Sequence, residues 1–515
     1  MRLTDEDYRD IQGLVRFGYG HLGSARFHLL TLVDLPATRA WLADVPVTTA
    51  VKGKRPDTAL NVAFSYEGLR KLGSRPDTLA QFPYEFKSGM TEPSRARRLG
   101  DVDANDPNKW QWGGPGNVPD VLVMLYAVTP QKLDEWEQQI KSKTWGTAFA
   151  PLACLTTSDG GDIEPFGFND GINQPVLDWE SLSPAQHFRT SYTNIAALGE
   201  VLLGYRNEYG KLTDRPLVAT ADDPDDLLPK ADDSPGKKDL GKNGTYLVFR
   251  DLAQDAPAFW QFVNDEATRA REDRRSVAAE LVGRVPAEIP AMSSDGTSGS
   301  YDQRSRTPGD PIVPLGKDAI PGVGPEADDI RQNQFTFHGD VNGTACPFGA
   351  HIRRANPRNA DLPEGTRGLF GLLLRILGFG RTHPHDDLIA STRFHRILRR
   401  GREYAFEATR KDGARVVERG LRFMCLNGNI SRQFEFIQAS WLINQKFEGL
   451  DEQDPLLGNR APLATGQPTA LFTHPQASGL CPRRSPLPQF VHVRGGAYFF
   501  MPGLAALRYL ARKST

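Results

Sequence analysis

The chain has 515 residues, with 62 basic and 63 acidic side chains and a formal net charge of −1. At roughly 150 residues per domain this length suits two or three domains, and the balanced charge excludes a nucleic-acid clamp driven by a general basic field. Hydrophobic residues at 39% are enough to build a core, which excludes a disordered chain, while 49 glycines and 38 prolines point to long loops.

The first 150 residues alternate strand-like and helix-like runs. Residues 26–33 are rich in β-formers, 37–43 read as a short helix, 61–66 as a strand and 67–72 as a helix. Residues 120–127 (DVLVMLYA) form a nearly continuous apolar run, the signature of a strand buried on both faces. Thr129 then caps a helix that has Pro130 in its first turn and runs to Lys141. Strand, helix and strand repeated in this way make a split βαβ, ferredoxin-like unit. A second unit starts with strand 244–250 and a helix over 256–281. It continues with strand 420–426 and a helix whose apolar face holds Ile430, Phe434, Ile437 and Trp441. Strand 497–500 and helix 504–510 complete its sheet and cover. The expected class is α+β, with antiparallel sheets in two halves, 1–240 and 241–515. Loop-rich insertions cover 210–243 and 283–333.

No basic run followed by an apolar core opens the chain, and no window approaches the length of a membrane span. The four cysteines are far apart and form no CxxC, so a reduced, cytoplasmic setting is expected.

Three segments stand out chemically. In Phe166-Gly-Phe-Asn-Asp-Gly-Ile-Asn-Gln-Pro175, Asp170-Gly171 is by itself an ordinary turn. In Cys346-Pro-Phe-Gly-Ala-His351-Ile-Arg-Arg354, a neutral imidazole is a common ligand of zinc, copper or haem iron, although a lone histidine is usually structural. Its neighbours Arg353, Arg354 and Arg358 suit an anionic ligand such as propionates, or else a solvated surface. The third segment, 393–404, reads as a basic helix end or solvated loop in which Gly401 acts as a chain reversal.

Taken in order, these segments resemble the dye-decolorizing peroxidases. Gly167-Phe-Asn-Asp-Gly171 is similar to the family's GxxDG signature, 346–358 to its proximal-histidine segment and 395–401 to its distal-arginine segment. Further matches at 61–73, 202–210, 243–252, 432–438 and 490–500 extend the resemblance over nearly the whole chain. The resemblance implies haem b, bound non-covalently between the sheet and helices of the C-terminal half. His351 would be the proximal iron ligand, and Arg353, Leu421 and Phe423 would be further cofactor contacts. Asp170 and Arg399 would face the distal side, Arg399 being chosen over Arg396, Arg400 and Arg402 because it follows the Ile-Leu pair. The implied reaction reduces hydrogen peroxide through a ferryl oxidant and discharges it with dyes, phenols or similar small aromatic donors.

Asp170 would shuttle the peroxide proton and Arg399 would stabilise the departing oxygen, with activity favouring mildly acid pH. The alternative is a haem-handling protein with incidental peroxidase activity, which needs neither Asp170 nor Arg399. A non-haem protein that keeps the fold is a third reading. The chain departs from the family pattern at Asn429, where related sequences often carry an Asp near the start of the 432–438 helix. Either another acid serves His351, or the imidazole is less basic and the iron potential higher. The apolar insert 368–380 reads as a surface-packed helix or as a contact patch, and His383 and His385 as a polar turn.

Overall fold

The computed structural model describes residues 3–141, 144–158, 163–180, 194–289, 308–313, 332–333, 335–358, 391–409, 415–462, 465–476, 481–484 and 486–512. The apolar insert, both histidines of the 383–385 turn and most of the 283–333 loop lie outside the described residues.

Nine strands form one sheet: β1 (Ser24–Leu32), β2 (Thr58–Phe64), β3 (Val121–Ala127), β4 (Phe149–Thr156), β5 (Thr245–Gln254), β6 (Leu398–Arg399), β7 (Arg402–Thr409), β8 (Arg415–Asn427) and β9 (Val491–Met501). Their order is β4-β1-β3-β2-β9-β5-β8, with β6 and β7 both paired to the outer edge of β8. The two halves of this sheet share one plan. The first four strands lie in the order fourth, first, third, second, with helix Leu35–Asp44 after the first and Pro130–Ile140 after the third. The later strands repeat that order, with helices Ala256–Ala270 and Arg274–Val282 after the first and a wide helical segment over 431–442 after the third. This is the ferredoxin-like arrangement twice over. The halves meet where Phe500 of β9 pairs with Phe64 of β2.

Local sequence accounts for most of these elements. Thr129 accepts a hydrogen bond from Lys132 N at 3.2 Å and Pro130 sits where no N–H is needed, so the helix starts there. Leu35–Asp44 begins two residues before its expected start because Asp34 caps it, accepting from Ala37 N at 2.8 Å. Every residue of β3 is buried. Val121, Val123 and Leu125 face the helices, while Leu122, Met124 and Tyr126 face a second layer containing Leu14, Val15, Leu198 and Leu202. At about 1.5–3 kcal/mol for each large apolar side chain buried, two covered faces are what keep so long a sheet in register.

Three expectations are corrected. The helix over 256–281 is two helices, because Arg271 takes a left-handed conformation at φ 57 and ends the first. The 431–442 segment is π-helical, with Glu435 N donating to Ile430 O at 3.0 Å, which widens its turns. Residues 393–404 are neither a solvated loop nor a chain reversal. β6 and β7 run on along one edge of β8, and Arg400 N donates to Met424 O between them at 2.8 Å. The arginines of this stretch clamp the N-terminal half: Arg400 to Leu14 O and Val15 O, Arg402 to Tyr19 O and Leu22 O.

Candidate functional site

A cavity of about 270 Å³ lies on the helix-covered face of the C-terminal half of the sheet. Strand periodicity turns Arg250, Leu252 and Gln254 of β5, Leu421 and Phe423 of β8, and Val491 and Val493 of β9 to this one face. The π-helical segment contributes Phe434, Ile437 and Trp441, and the short helix His351–Ala355 contributes His351 and Ile352. Loop 164–175 of the N-terminal half closes the remaining side with Glu164, Phe166, Phe168 and Asp170.

His351 opens its helix after the Pro347–Ala350 turn. Its Nδ1 donates to Asp454 Oδ2 at 2.9 Å, so Nε2 is the ring nitrogen left with a lone pair. Asp454 is fully buried, and its Oδ1 accepts from Leu456 N at 2.9 Å and Leu457 N at 2.8 Å. Burial alone would raise the Asp454 pKa, but His351, Arg354 and the Leu457 N–H hold it below the ordinary carboxylate value. Burial likewise disfavours charge on His351, and Asp454 overrides it, leaving the imidazole more basic than usual. The acid partner missing at Asn429 is therefore Asp454, and the expectation of a less basic imidazole is set aside. Asn429 does another job: its Oδ1 accepts from Arg432 N at 2.8 Å and caps the π-helical segment.

Asp170 is delivered by a tightly anchored loop. Gly167 has φ +91 and packs against a neighbouring chain segment, where an added Cβ would lie 2.3 Å from Glu288 O. Its carbonyl accepts from Ala287 N and Glu288 N at 2.8 and 3.0 Å. Phe166 and Phe168 pack against Phe259, with ring centroids 4.8 and 6.4 Å apart. The Glu164 carboxylate accepts from Phe166 N, Phe168 N and Gln254 Nε2 at 3.1, 3.2 and 2.6 Å. Burial, reinforced by Asp170, pushes Glu164 up to about 7 even against these hydrogen bonds.

At the end of this loop, Asp170 Oδ1 accepts from Gly171 N at 2.7 Å and from Arg399 Nη1 at 2.5 Å. Arg399 is itself held by Gln174, whose Oε1 accepts its backbone N–H at 3.0 Å. Burial works to raise Asp170, but Arg399, the Gly171 N–H and His351 bring it below the usual carboxylate value, so it is ionised at neutral pH. Of the four candidate arginines only Arg399 bonds Asp170, because strand alternation sends Leu398 and Arg400 to the opposite face. Arg396 lines the cavity and donates to Ile195 O.

No family model matches the chain. It is 30% identical over 481 residues to a dye-decolorizing peroxidase of Mycetinis scorodonius, covering 88% of this chain and 76% of that protein. The chain belongs to the dye-decolorizing peroxidase family. It also shares its fold with the solved structure of a fungal DyP-type peroxidase from Auricularia auricula-judae, at TM-score 0.67 and 24% identity over 99% of this chain and 100% of that one. A dye-decolorizing peroxidase solved in complex with 2,6-dimethoxyphenol aligns at TM-score 0.64 and 22% identity, over 98% and 99% of the two chains.

Membership of the dye-decolorizing peroxidases makes the chain a peroxidase and implies a haem cofactor, and the cavity's residues fit that group. Among the described residues no cluster of three or more His, Cys, Asp or Glu side chains exists to hold a bare ion. Haem iron is held by a single protein imidazole in this way, and the walls include apolar side chains suited to a flat ring: Leu252, Ile352, Leu421, Phe423, Phe434 and Leu456. Leu421 and Phe423 line the cavity, but Arg353 does not. Its Nη1 donates to Asp340 Oδ2 at 3.1 Å and Cys346 O at 2.8 Å, and its guanidinium lies over the rings of Phe337 and Phe348. Arg354 is spent on the carbonyls of Trp441, Glu452 and Asn444, and Arg358 on those of Asn333 and Phe335. These three arginines hold the His351 segment in place, and among the described residues the arginines on the cavity wall are Arg250, Arg284, Arg396 and Arg399. Asp454, Glu164 and Arg284 carry no signal in the sequence, because none of them sits in a pattern distinguishable from a turn or a helix end. Among the described residues no helix is long and apolar enough to cross a membrane.

Proposed function

We propose that His351 binds the iron of haem b, held non-covalently, and that Asp170 and Arg399 handle hydrogen peroxide on the same cavity. The reading rests on His351, Asp170 and Arg399 lining one cavity, with Asp170 bonded to Arg399 and His351 backed from behind by the buried Asp454. Haem in this place supplies the electrons that break the peroxide O–O bond and takes them back one at a time from donors. Asp454 keeps the Nδ1 proton on the His351 ring and so reserves Nε2 for the metal. Asp170 Oδ1 is committed to Arg399 and Gly171, which leaves Oδ2 to accept a proton from one peroxide oxygen and return it to the other. Arg399, always cationic, stabilises the negative charge that builds on the departing oxygen until that proton arrives and water leaves. Ionised Asp170 is ready for this task across the neutral and mildly acid range.

Residues 1–240 supply the loop carrying Asp170, and residues 241–515 supply His351, Arg399 and the apolar walls. Small aromatic donors, phenols and dyes complete the cycle, in line with the relative solved with 2,6-dimethoxyphenol. All four cysteines are free, so the fold needs no oxidising compartment, and a cytoplasmic setting belongs to this proposal.

The test is an absorption spectrum of the protein and of His351→Ala, each with added haem, followed by rapid mixing with peroxide. The wild type is expected to give a Soret band that peroxide bleaches or shifts, and His351→Ala to lose the ligand signature. A wild type that forms no Soret band, or a variant with an unchanged spectrum, rejects the reading.

A further inference from the structure

Arg284 sits immediately beyond the helix Arg274–Val282, is 5% exposed, and lines the cavity. Its Nη1 donates to Gly309 O at 2.7 Å and Gln332 O at 3.0 Å, and the guanidinium stands 5.6 Å from the centroid of Phe335. These contacts fix the plane of the group and leave Nη2 buried with no hydrogen-bond partner. Buried arginines elsewhere in the described fold include several whose charge is matched by a carboxylate or whose nitrogens are all used. Arg95 is paired with Glu435, Arg250 with Asp101 and Arg422 with Asp251, and Arg354 has a carbonyl on each of its three nitrogens. Arg284 has no ion pair among the described residues. Burial, aided by repulsion from Arg358 and Arg399, lowers its pKa to about 9.

A buried donor with a spare N–H and an uncompensated charge, facing a cavity, calls for an anion with a planar pair of oxygens. We propose that Arg284 is a carboxylate-binding residue of the cavity, whose ligand is a side-chain carboxylate of the bound porphyrin. This rests on the haem reading above and adds to it the residue that anchors the cofactor's acidic edge.

The experiment titrates apo-protein, followed by the Soret band, with haem and with its dimethyl ester, in wild type and Arg284→Met. The wild type is expected to bind the diacid more tightly than the diester. Arg284→Met is expected to cut that preference about tenfold, mainly by weakening the diacid. Should Arg284→Met lose its native circular dichroism, Arg284→Gln, which keeps a donor for the two carbonyls, carries the same comparison. A second arm adds benzoate to the haem-loaded proteins and reads its spectral perturbation. Loss of the benzoate response in the variant, with porphyrin preference intact, overturns the porphyrin assignment and gives the site to an acidic aromatic donor instead. Equal weakening of diacid and diester with an unchanged benzoate response overturns the proposal. A wild type that binds neither porphyrin rejects the haem reading, and the proposal falls with it.

Discussion

Replacing Arg399 with methionine separates two effects of one guanidinium. Its Nη1 lies 2.5 Å from Asp170 Oδ1, with the two side chains 28% and 31% exposed. Opposite unit charges interact by about 4 kcal/mol at ~4 Å, and more at closer range, at an effective dielectric of ~20. Exposure to the cavity and counter-ions reduces the net share well below that figure. Arg399 is the largest influence holding Asp170 down against burial, so its removal lets burial raise that pKa. Asp170 must be ionised to take the peroxide proton. The wild-type rate is therefore expected to stay level down to the ordinary carboxylate range, about pH 4, while Arg399→Met begins to lose activity at a higher pH than the wild type. At neutral pH the variant should also be slower by about a hundredfold or more, through the lost stabilisation of the departing oxygen. The assay is stopped-flow decay of the resting Soret band with peroxide between pH 3.5 and 8 at constant ionic strength. Arg399→Lys keeps the charge without the fork, so it should lose rate while retaining the wild-type acid limb. An Arg399→Met acid limb that coincides with wild type would refute the electrostatic assignment.

Three more outcomes are expected. Asp454→Asn should weaken haem binding about 10- to 100-fold and raise the reduction midpoint, whereas Asn429→Asp should leave both in place because Asn429 caps the π-helical segment; a spectroelectrochemical titration in which both shift alike contradicts the pairing. Gly167→Ala should still give a Soret band yet slow the peroxide reaction on the order of a hundredfold, since displacing the Asp170 loop by about 1 Å spoils its geometry; an unchanged rate speaks against that anchor. Glu164, raised by burial to about 7, binds its proton more tightly folded than unfolded, so its contribution to stability is full at low pH and is lost as pH rises through about 7. Denaturant midpoints of wild type and Glu164→Gln measured at pH 5 and pH 8 should differ in that sense, by at most about 3 kcal/mol, and a difference independent of pH removes the claim.

Much of the framework was open to inspection in the chain itself. The all-apolar run of β3, the Thr129-Pro130 helix start and the strand beginning near Gly244 follow from patterns only a few residues long. The same holds for the aromatic-glycine loop that carries Asp170, because the glycine and both phenylalanines act within a few positions of the acid. Arg399 was separable from its neighbours by its place after Ile397-Leu398, which strand alternation turns into a choice of face. The edge strands β6 and β7 escaped notice because their arginines look solvated until the N-terminal half supplies carbonyls for them. Arg353 turns away from the cavity, because adjacency to His351 along the chain says nothing about where a long side chain ends, and Asp340 and Cys346 O claim it.

What the linear order of residues determined is the repeating βαβ plan, since periodicity, caps and short turns are local, while His351 and Asp170 stand out only through the resemblance to a known family. Only the tertiary structure decided that Asp454, 103 positions along the chain, serves His351, and that Arg284 reaches the cavity with a nitrogen to spare. Hydrogen-bond partners are chosen by separations of about 3 Å in space, and distance along the chain carries no record of that choice.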